Sequence, residues 1–375
     1  MNTTRKGWIP ELEGFRGWAS VWVFIGHMCI LTECKLPILG NPSYGVDLFI
    51  LLSGFLMTKN YIERRSIEPW NKFSTIKTFW IRRFFRIAPL YYILLIIAIY
   101  FGPQIGHMRD VIAEFYPQTA TETNRFNDQS LKNILIHASF IFGMLPDYGF
   151  RTTLPDWSIG LEIQYYLLFP FIMIIAAKFG IKSTLLLTSA LSIILFFIFP
   201  DFFKSFPMPS FIFLKLPIFI AGMLVALASI NNSKRYLSLA ILVILMASLT
   251  HLHINPKQLA IQIAMCIFIF YIVSDFDFLK KDTIKNLLKK PLNIKFSIWL
   301  GDVSYSVYLI HLLIVTPTTA ILLRQFSMFS EPSYLRLLLL SAICLPIVYG
   351  LAHLSYLFIE KPGIKLGKKI NKKNN

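Results

Sequence analysis

Along the chain, long apolar runs alternate with shorter polar segments. A membrane-spanning helix needs about 20 mostly apolar residues. Ten runs meet that requirement, at residues 16–34, 45–62, 80–101, 157–177, 183–200, 211–230, 236–253, 256–275, 297–322 and 334–359. An eleventh apolar stretch, 131–145, is short for a crossing and reads as a re-entrant or interfacial helix. The pattern predicts an all-α polytopic membrane protein forming a single domain over residues 1–375. Two segments stand outside the bundle: a long mixed-charge loop at 102–156 and a basic tail at 361–375. No internal repeat appears, and nothing after the last run is expected to form a second soluble domain.

Composition agrees with this pattern. Of 375 residues, 55% are hydrophobic and only 15% charged, and mean hydropathy is +0.59. A soluble core could not hide so much apolar surface. The formal charge of +17 could suggest nucleic acid. The basic residues, however, fall in short runs between apolar segments, as cytoplasmic loops of membrane proteins do. Placing both termini in the cytoplasm puts most Lys and Arg inside, including the runs from Lys59 to Arg86, Lys280 to Lys295 and Lys361 to Lys373. Counting 131–145 as a crossing would reverse every later loop, so ten is the expected number. The four cysteines show no metal-ligand or disulfide spacing. No cleavable signal is expected at the N-terminus, which lacks a small-residue cleavage site.

The candidate chemistry lies in polar groups inside the apolar runs, where ionisable side chains are costly and therefore informative. Arg16 and His27 are eleven residues apart, which on a helix returns to about the same face, roughly 16 Å further along. That stripe joins a cation at one boundary to a titratable ring near mid-membrane. Asp47, at the start of the second run, could orient a histidine or serve as a helix N-terminal acid. Arg83 and Arg86 share a face at the mouth of the third run. They suit phosphate oxygens or act as a topology signal. Glu162 lies about one and a half turns into the fourth run and needs a partner, with His27, His311 and Arg151 as candidates. Trp157, Tyr165 and Tyr166 are belt aromatics or sugar-stacking surfaces. Tyr308 and His311 share a face of the ninth run, fit for chemistry or for interhelical hydrogen bonds. Glu360 and Lys361 close the last run as an expected ion pair.

Taken together, these segments resemble the acyltransferase-3 family of integral membrane acyltransferases, from Glu11 to Lys365. ELEGFRGWASVWVFIGH resembles the opening Arg/Lys-x10-His motif, with Arg16 and His27. GVDLFILLSGFL is similar to the second motif. WIRRFFRIAPLYY resembles the Arg-x-x-Arg segment, with Arg83 and Arg86. DWSIGLEIQYYLLFP is similar to the Trp-Ser-x-x-x-Glu segment, with Trp157, Ser158 and Glu162. GDVSYSVYLIHLLIV and FIEKPGIKLGKK resemble the closing pair. Ile159 and Gly160 depart from the usual residues there, a change expected to be tolerated.

The resemblance implies about ten membrane helices in the cell inner membrane. It implies an acyl-CoA donor, most commonly acetyl-CoA, drawn from the cytoplasm as a substrate, with no permanently bound cofactor and no metal. The acceptor would be a hydroxyl of an extracytoplasmic glycan such as O-antigen or another envelope polysaccharide, free or lipid-linked. Arg16, Arg83 and Arg86 would hold coenzyme A. His27, with Asp47 or Glu162, would carry the chemistry. Trp157, Ser158, Tyr308 and His311 would meet the substrate. The fused hydrolase-like domain of some members is not evident, so transfer is expected within the bundle. A different class remains open on sequence alone: a proton-coupled transporter of an anionic solute or lipid-linked substrate, with His27, Glu162 and His311 as a relay.

Overall fold

A computed structural model describes residues 8–250, 256–275 and 282–373. Arg5, Lys6, Lys280 and the end of the seventh run therefore lie outside the described residues. The described residues form helices joined by turns, without strands. The first group is α1 (Pro10–Thr32), α2 (Pro42–Arg64), α3 (Phe73–Tyr100), α4 (Gly102–Phe115), α5 (Asn124–Asn127) and α6 (Leu131–Ala138). Then come α7 (Trp157–Phe179), α8 (Ile181–Ile198), α9 (Pro200–Lys204), α10 (Ile212–Ile230), α11 (Lys234–Ala247) and α12 (Pro256–Val273). The last are α13 (Asp282–Asn293), α14 (Lys295–Gln325), α15 (Ser333–Ser355) and α16 (Lys361–Lys373), with a π-helical turn, Tyr356–Glu360, linking the final two.

Each of the ten expected spans falls on one of these helices. Seven are long and apolar enough to cross a membrane: α3, α7, α8, α10, α12, α14 and the run beginning at α15. The remaining three expected spans coincide with α1, α2 and α11. Large apolar side chains face outward along these helices, among them Ile96, Leu187, Phe197, Leu338 and Phe358. Water would penalise that surface by about 25 cal/mol per Å²; lipid does not. The chain is an all-α, multi-pass membrane protein.

The 131–145 stretch does not cross. It holds only the eight residues of α6 followed by a 3-10 turn, Ile141–Met144. The loop around it is more ordered than its composition suggests. The helix α4 was not expected, because His107, Arg109 and Asp110 dilute an apolar face carried by the buried Ile105, Val111 and Ile112.

The chain packs as two compact units. One comprises residues up to Ala19, Val46–Phe79 and Gln164–Asp302. There α10 is the most enclosed helix, packed against α8, α11 and α12. On its other side α2 comes to backbone contact, since a Cβ on Gly54 would meet the Phe219 carbonyl oxygen and one on Gly222 the Leu51 carbonyl oxygen, each within 2.1 Å. Only glycine permits that approach. The second unit comprises Ser20–Gly45, Trp80–Ile163 and the residues from Val303 onward. It holds the part of α1 that carries His27, most of α3, the helices α4 to α6, the start of α7, and the helix from Val303 that carries His311.

Candidate active site

Two histidines meet in the second unit. His27 lies on α1 and His311 on α14, and His311 Nε2 is 3.1 Å from His27 Nδ1. The backbone decides which nitrogens carry hydrogen. His311 Nδ1 faces the Tyr308 carbonyl at 2.7 Å and the Val307 carbonyl at 3.1 Å. A carbonyl only accepts, so His311 Nδ1 is the protonated nitrogen and His311 Nε2 offers a lone pair. His27 Nδ1 faces the Val23 carbonyl at 2.9 Å as well as that lone pair. It is therefore the donor, and the lone pair of His27 is left on Nε2. No protein group among the described residues bonds that nitrogen. A neutral imidazole with an available Nε2 lone pair can take a proton or attack a carbonyl.

One turn before His311, Tyr308 fixes the entry to α7. Its hydroxyl donates to the Pro155 carbonyl at 2.7 Å and accepts from Ser158 Oγ at 2.6 Å. Each of the three polar groups is satisfied, as buried groups must be. Glu162 stands one turn beyond Ser158, half-buried and within electrostatic range of Tyr308. Trp157 is buried in the first turn of α7, not exposed as a belt aromatic would be.

Beside this entry lies a buried cluster that the sequence did not disclose. Asp156 Oδ2 accepts from Thr152 Oγ1 at 2.9 Å and from the Tyr91 hydroxyl at 3.3 Å. His137 Nε2 approaches the same oxygen at 3.9 Å, and the His137 ring stacks on Phe142 at 4.5 Å and 9°. The approach of Phe142 depends on Gly160, where a Cβ would come within 2.9 Å of that ring. Burial pushes the Asp156 carboxyl above its ordinary range, against the charge of His137 and its two hydrogen bonds. Arg109 and Arg125 lie in the same 102–156 segment. Burial lowers them to about 10 and about 9 respectively, and both stay cationic at neutral pH.

These motif residues lie within the span of a known family. The family described as "Acyltransferase domain" matches residues 9–351. The chain belongs to the acyltransferase-3 family. It is similar to the peptidoglycan O-acetyltransferase OatA of Listeria monocytogenes, 27% identical over 49% of this chain and 28% of that protein. It also resembles a putative acetyltransferase, ORF330, of Acidianus two-tailed virus, 23% identical over 83% of this chain and 84% of the viral protein. Acyltransferase MdmB of Streptomyces mycarofaciens is 27% identical over 43% of this chain and 38% of that protein. The chain thus spans well under half the length of OatA and of MdmB. No solved structure matches it.

Several of the remaining motif residues have local partners. On α3, Arg83 and Arg86 are both half-buried. Arg16 Nη1 pairs with Glu13 at 3.1 Å. Arg151, one candidate for Glu162, instead pairs with Asp128 at 3.1 Å. Glu360 accepts a hydrogen bond from Ser306. In the first unit Asp47 is buried with both oxygens engaged: Oδ1 by Lys215 at 2.7 Å, Oδ2 by Gln258 and Gln262 at 2.7 Å each. Tyr165 stacks on Phe219 at 4.2 Å, a core contact. Among the described residues no group of three or more His, Cys, Asp or Glu is placed to hold a metal ion.

Proposed function

We propose that this acyltransferase moves an acyl group, most simply acetyl, from acyl-CoA on the cytoplasmic side of the inner membrane to a hydroxyl of an envelope glycan. The observation that carries the proposal is the contact between His27 Nδ1 and His311 Nε2. It leaves His27 Nε2 as the reacting nitrogen and puts an acceptor behind the ring. The orienting place that the sequence reading gave to Asp47 or Glu162 falls on this geometry to His311. Asp47, held by Lys215 and two glutamines, reads as a structural anchor.

Two routes use the same nitrogen. In the first, His27 Nε2 takes the proton of the acceptor hydroxyl as that oxygen attacks the thioester carbonyl. The carbon–sulfur bond breaks, and the imidazolium returns the proton to the departing thiolate. In the second, His27 Nε2 attacks the carbonyl itself, coenzyme A leaves as the thiolate, and the hydroxyl then takes the acyl group from the ring, its proton passing through the freed ring to the thiolate. In both, His311 Nε2 accepts from His27 Nδ1–H and steadies the positive charge that develops on the ring. Arg83 and Arg86 are the candidate grips for the coenzyme A phosphates; Arg16, engaged by Glu13, retains the candidacy its motif gives.

Family membership supports the acyl-CoA donor, and relatives such as OatA, whose name specifies peptidoglycan, support a glycan acceptor. The test is purified protein in lipid nanodiscs with radiolabelled acetyl-CoA and envelope glycan fractions. Label should reach a base-labile glycan ester in the wild type and not in His27→Ala. Acid quenching followed by mass spectrometry should reveal a 42 Da adduct on the His27 peptide only on the covalent route. Transfer by His27→Ala at the wild-type rate would overturn the proposal.

A further inference from the structure

Two arginines of the second unit have no part in the scheme above. Arg109 lies on α4 and Arg125 on α5. Each spends its Nε on a backbone carbonyl, Arg109 on Thr119 at 2.9 Å and Arg125 on Thr152 at 3.3 Å. These bonds fix the plane of each fork. Among the described residues no protein acceptor takes the Nη atoms of either. Arg125 is only 9% exposed. Its guanidinium lies 3.6 Å from the centroid of Phe150 and 5.0 Å from that of Phe126. The two elements are held together tightly, since a Cβ on Gly106 of α4 would sit 2.7 Å from the Phe126 side chain.

The two cations repel one another across this contact, and their charges reach His27. The charge of Asp156 acts on Arg125, but its carboxylate already accepts from Thr152 and Tyr91. Confining two like charges without a paired anion is costly. The arrangement makes sense if an anion arrives from outside, because two preset forks match the oxygens of a carboxylate or a phosphate. The position along α3 separates this pair from the donor grips. Arg83 and Arg86 lie in the first half of α3, whereas α4 begins one residue beyond its end, after Phe101. The fourteen steps from Arg86 to Tyr100, the end of α3, correspond to about 21 Å of helix, most of the roughly 30 Å thickness of a bilayer core.

We propose that Arg109 and Arg125 bind an anionic group of the acceptor, a carboxylate or a phosphate, so that the substrate hydroxyl belongs to an acidic glycan or to one carried on a lipid phosphate. This rests on the acyltransferase reading of His27 and adds the charge of the acceptor to it.

Binding tests the inference without turnover. Full-length protein in nanodiscs is titrated calorimetrically with glucuronic acid, glucose 1-phosphate, glucose and desulfo-coenzyme A. Wild-type protein should bind at least one acidic sugar tenfold or more tightly than glucose, and the preferred probe tells carboxylate from phosphate. Arg109→Gln and Arg125→Gln should each lose that preference, while Arg151→Gln, whose arginine already pairs with Asp128, should retain it. Desulfo-coenzyme A should bind all four proteins equally. If Arg125→Gln does not fold, Arg109→Gln, whose arginine is only half-buried, decides alone. Equal affinity for glucose and both acidic sugars would overturn the inference. So would variants that keep the preference, or that lose desulfo-coenzyme A binding instead. Failure of His27-dependent acyl transfer with the sugar preference intact would sink the catalytic reading and leave the anion site standing.

Discussion

His311 presents its Nε2 lone pair to His27 Nδ1 at 3.1 Å, and this contact sets which nitrogen of His27 is available. The second ring does for the first what a carboxylate does in many catalytic pairs: it holds the tautomer and accepts the hydrogen when the ring becomes charged. A neutral acceptor is suited to a site at membrane depth, where a further unpaired charge would be costly.

That role gives His311 a kinetic signature. His311→Ala should leave the KM for acyl-CoA nearly unchanged and lower kcat by roughly 100-fold or more, the usual scale for a disturbed general base. His311→Gln, whose side-chain oxygen can accept from His27 Nδ1, should recover part of the loss. Steady-state transfer assays on the three proteins check this. A His311→Ala enzyme with wild-type kcat would remove His311 from the mechanism.

Tyr308 should act through structure. Tyr308→Phe deprives the Pro155 carbonyl of its donor and Ser158 of its acceptor. Leaving buried polar groups unsatisfied costs about 1–3 kcal/mol. Thermal unfolding in nanodiscs should show a lower midpoint for Tyr308→Phe. Ser158→Ala, which leaves the Pro155 bond in place, should show a smaller drop.

Asp47 makes a sharper stability case. Its partner Lys215 is 12% exposed and Asp47 itself 1%, so Asp47→Ala strands a nearly buried cation. Breaking a buried pair from one side costs about 3–5 kcal/mol. The double variant Asp47→Leu, Lys215→Met removes both charges and should be more stable than Asp47→Ala. A midpoint for the double variant at or below that of Asp47→Ala would show that the pair is not the anchor described here.

The long apolar helices were legible in the sequence because a membrane span announces itself by length and hydropathy. The individual polar groups inside them were legible for the same reason: His27, Asp47, Glu162 and His311 each interrupt an apolar run. Their pairing was not. His27 and His311 are 284 positions apart, and a local pattern carries no information about which distant helix meets which. Asp47 looked available to a histidine because Lys215, Gln258 and Gln262 lie on helices far along the chain. His137 gives the same signal as His27, a histidine in an apolar stretch, but in a stretch too short to span. Arg109 and Arg125 were hidden by the opposite effect, since in a mixed-charge loop two more cations draw no attention.

The buried Asp156 offers a test that depends on pH. Burial raises its carboxyl pKa in the folded protein above the unfolded value of 3.8. Between the two pKa values the folded state therefore binds more protons than the unfolded one. Stability then falls as pH rises through that window and increases as pH is lowered through it. Around the carboxylate stand His137, Tyr91, Thr152 and the charge of Arg125, and other groups of the protein titrate too, so the comparison must be made against Asp156→Asn. That variant keeps the shape and lacks the titration. Subtracting its unfolding midpoint from the wild-type value at each pH from 7.5 down to 4 should give a difference that moves in favour of the wild type as the solution is acidified. A difference that stays flat, or moves the other way, would mean that the fold holds Asp156 ionised as easily as water does, and that its hydrogen bonds from Thr152 and Tyr91 outweigh its burial.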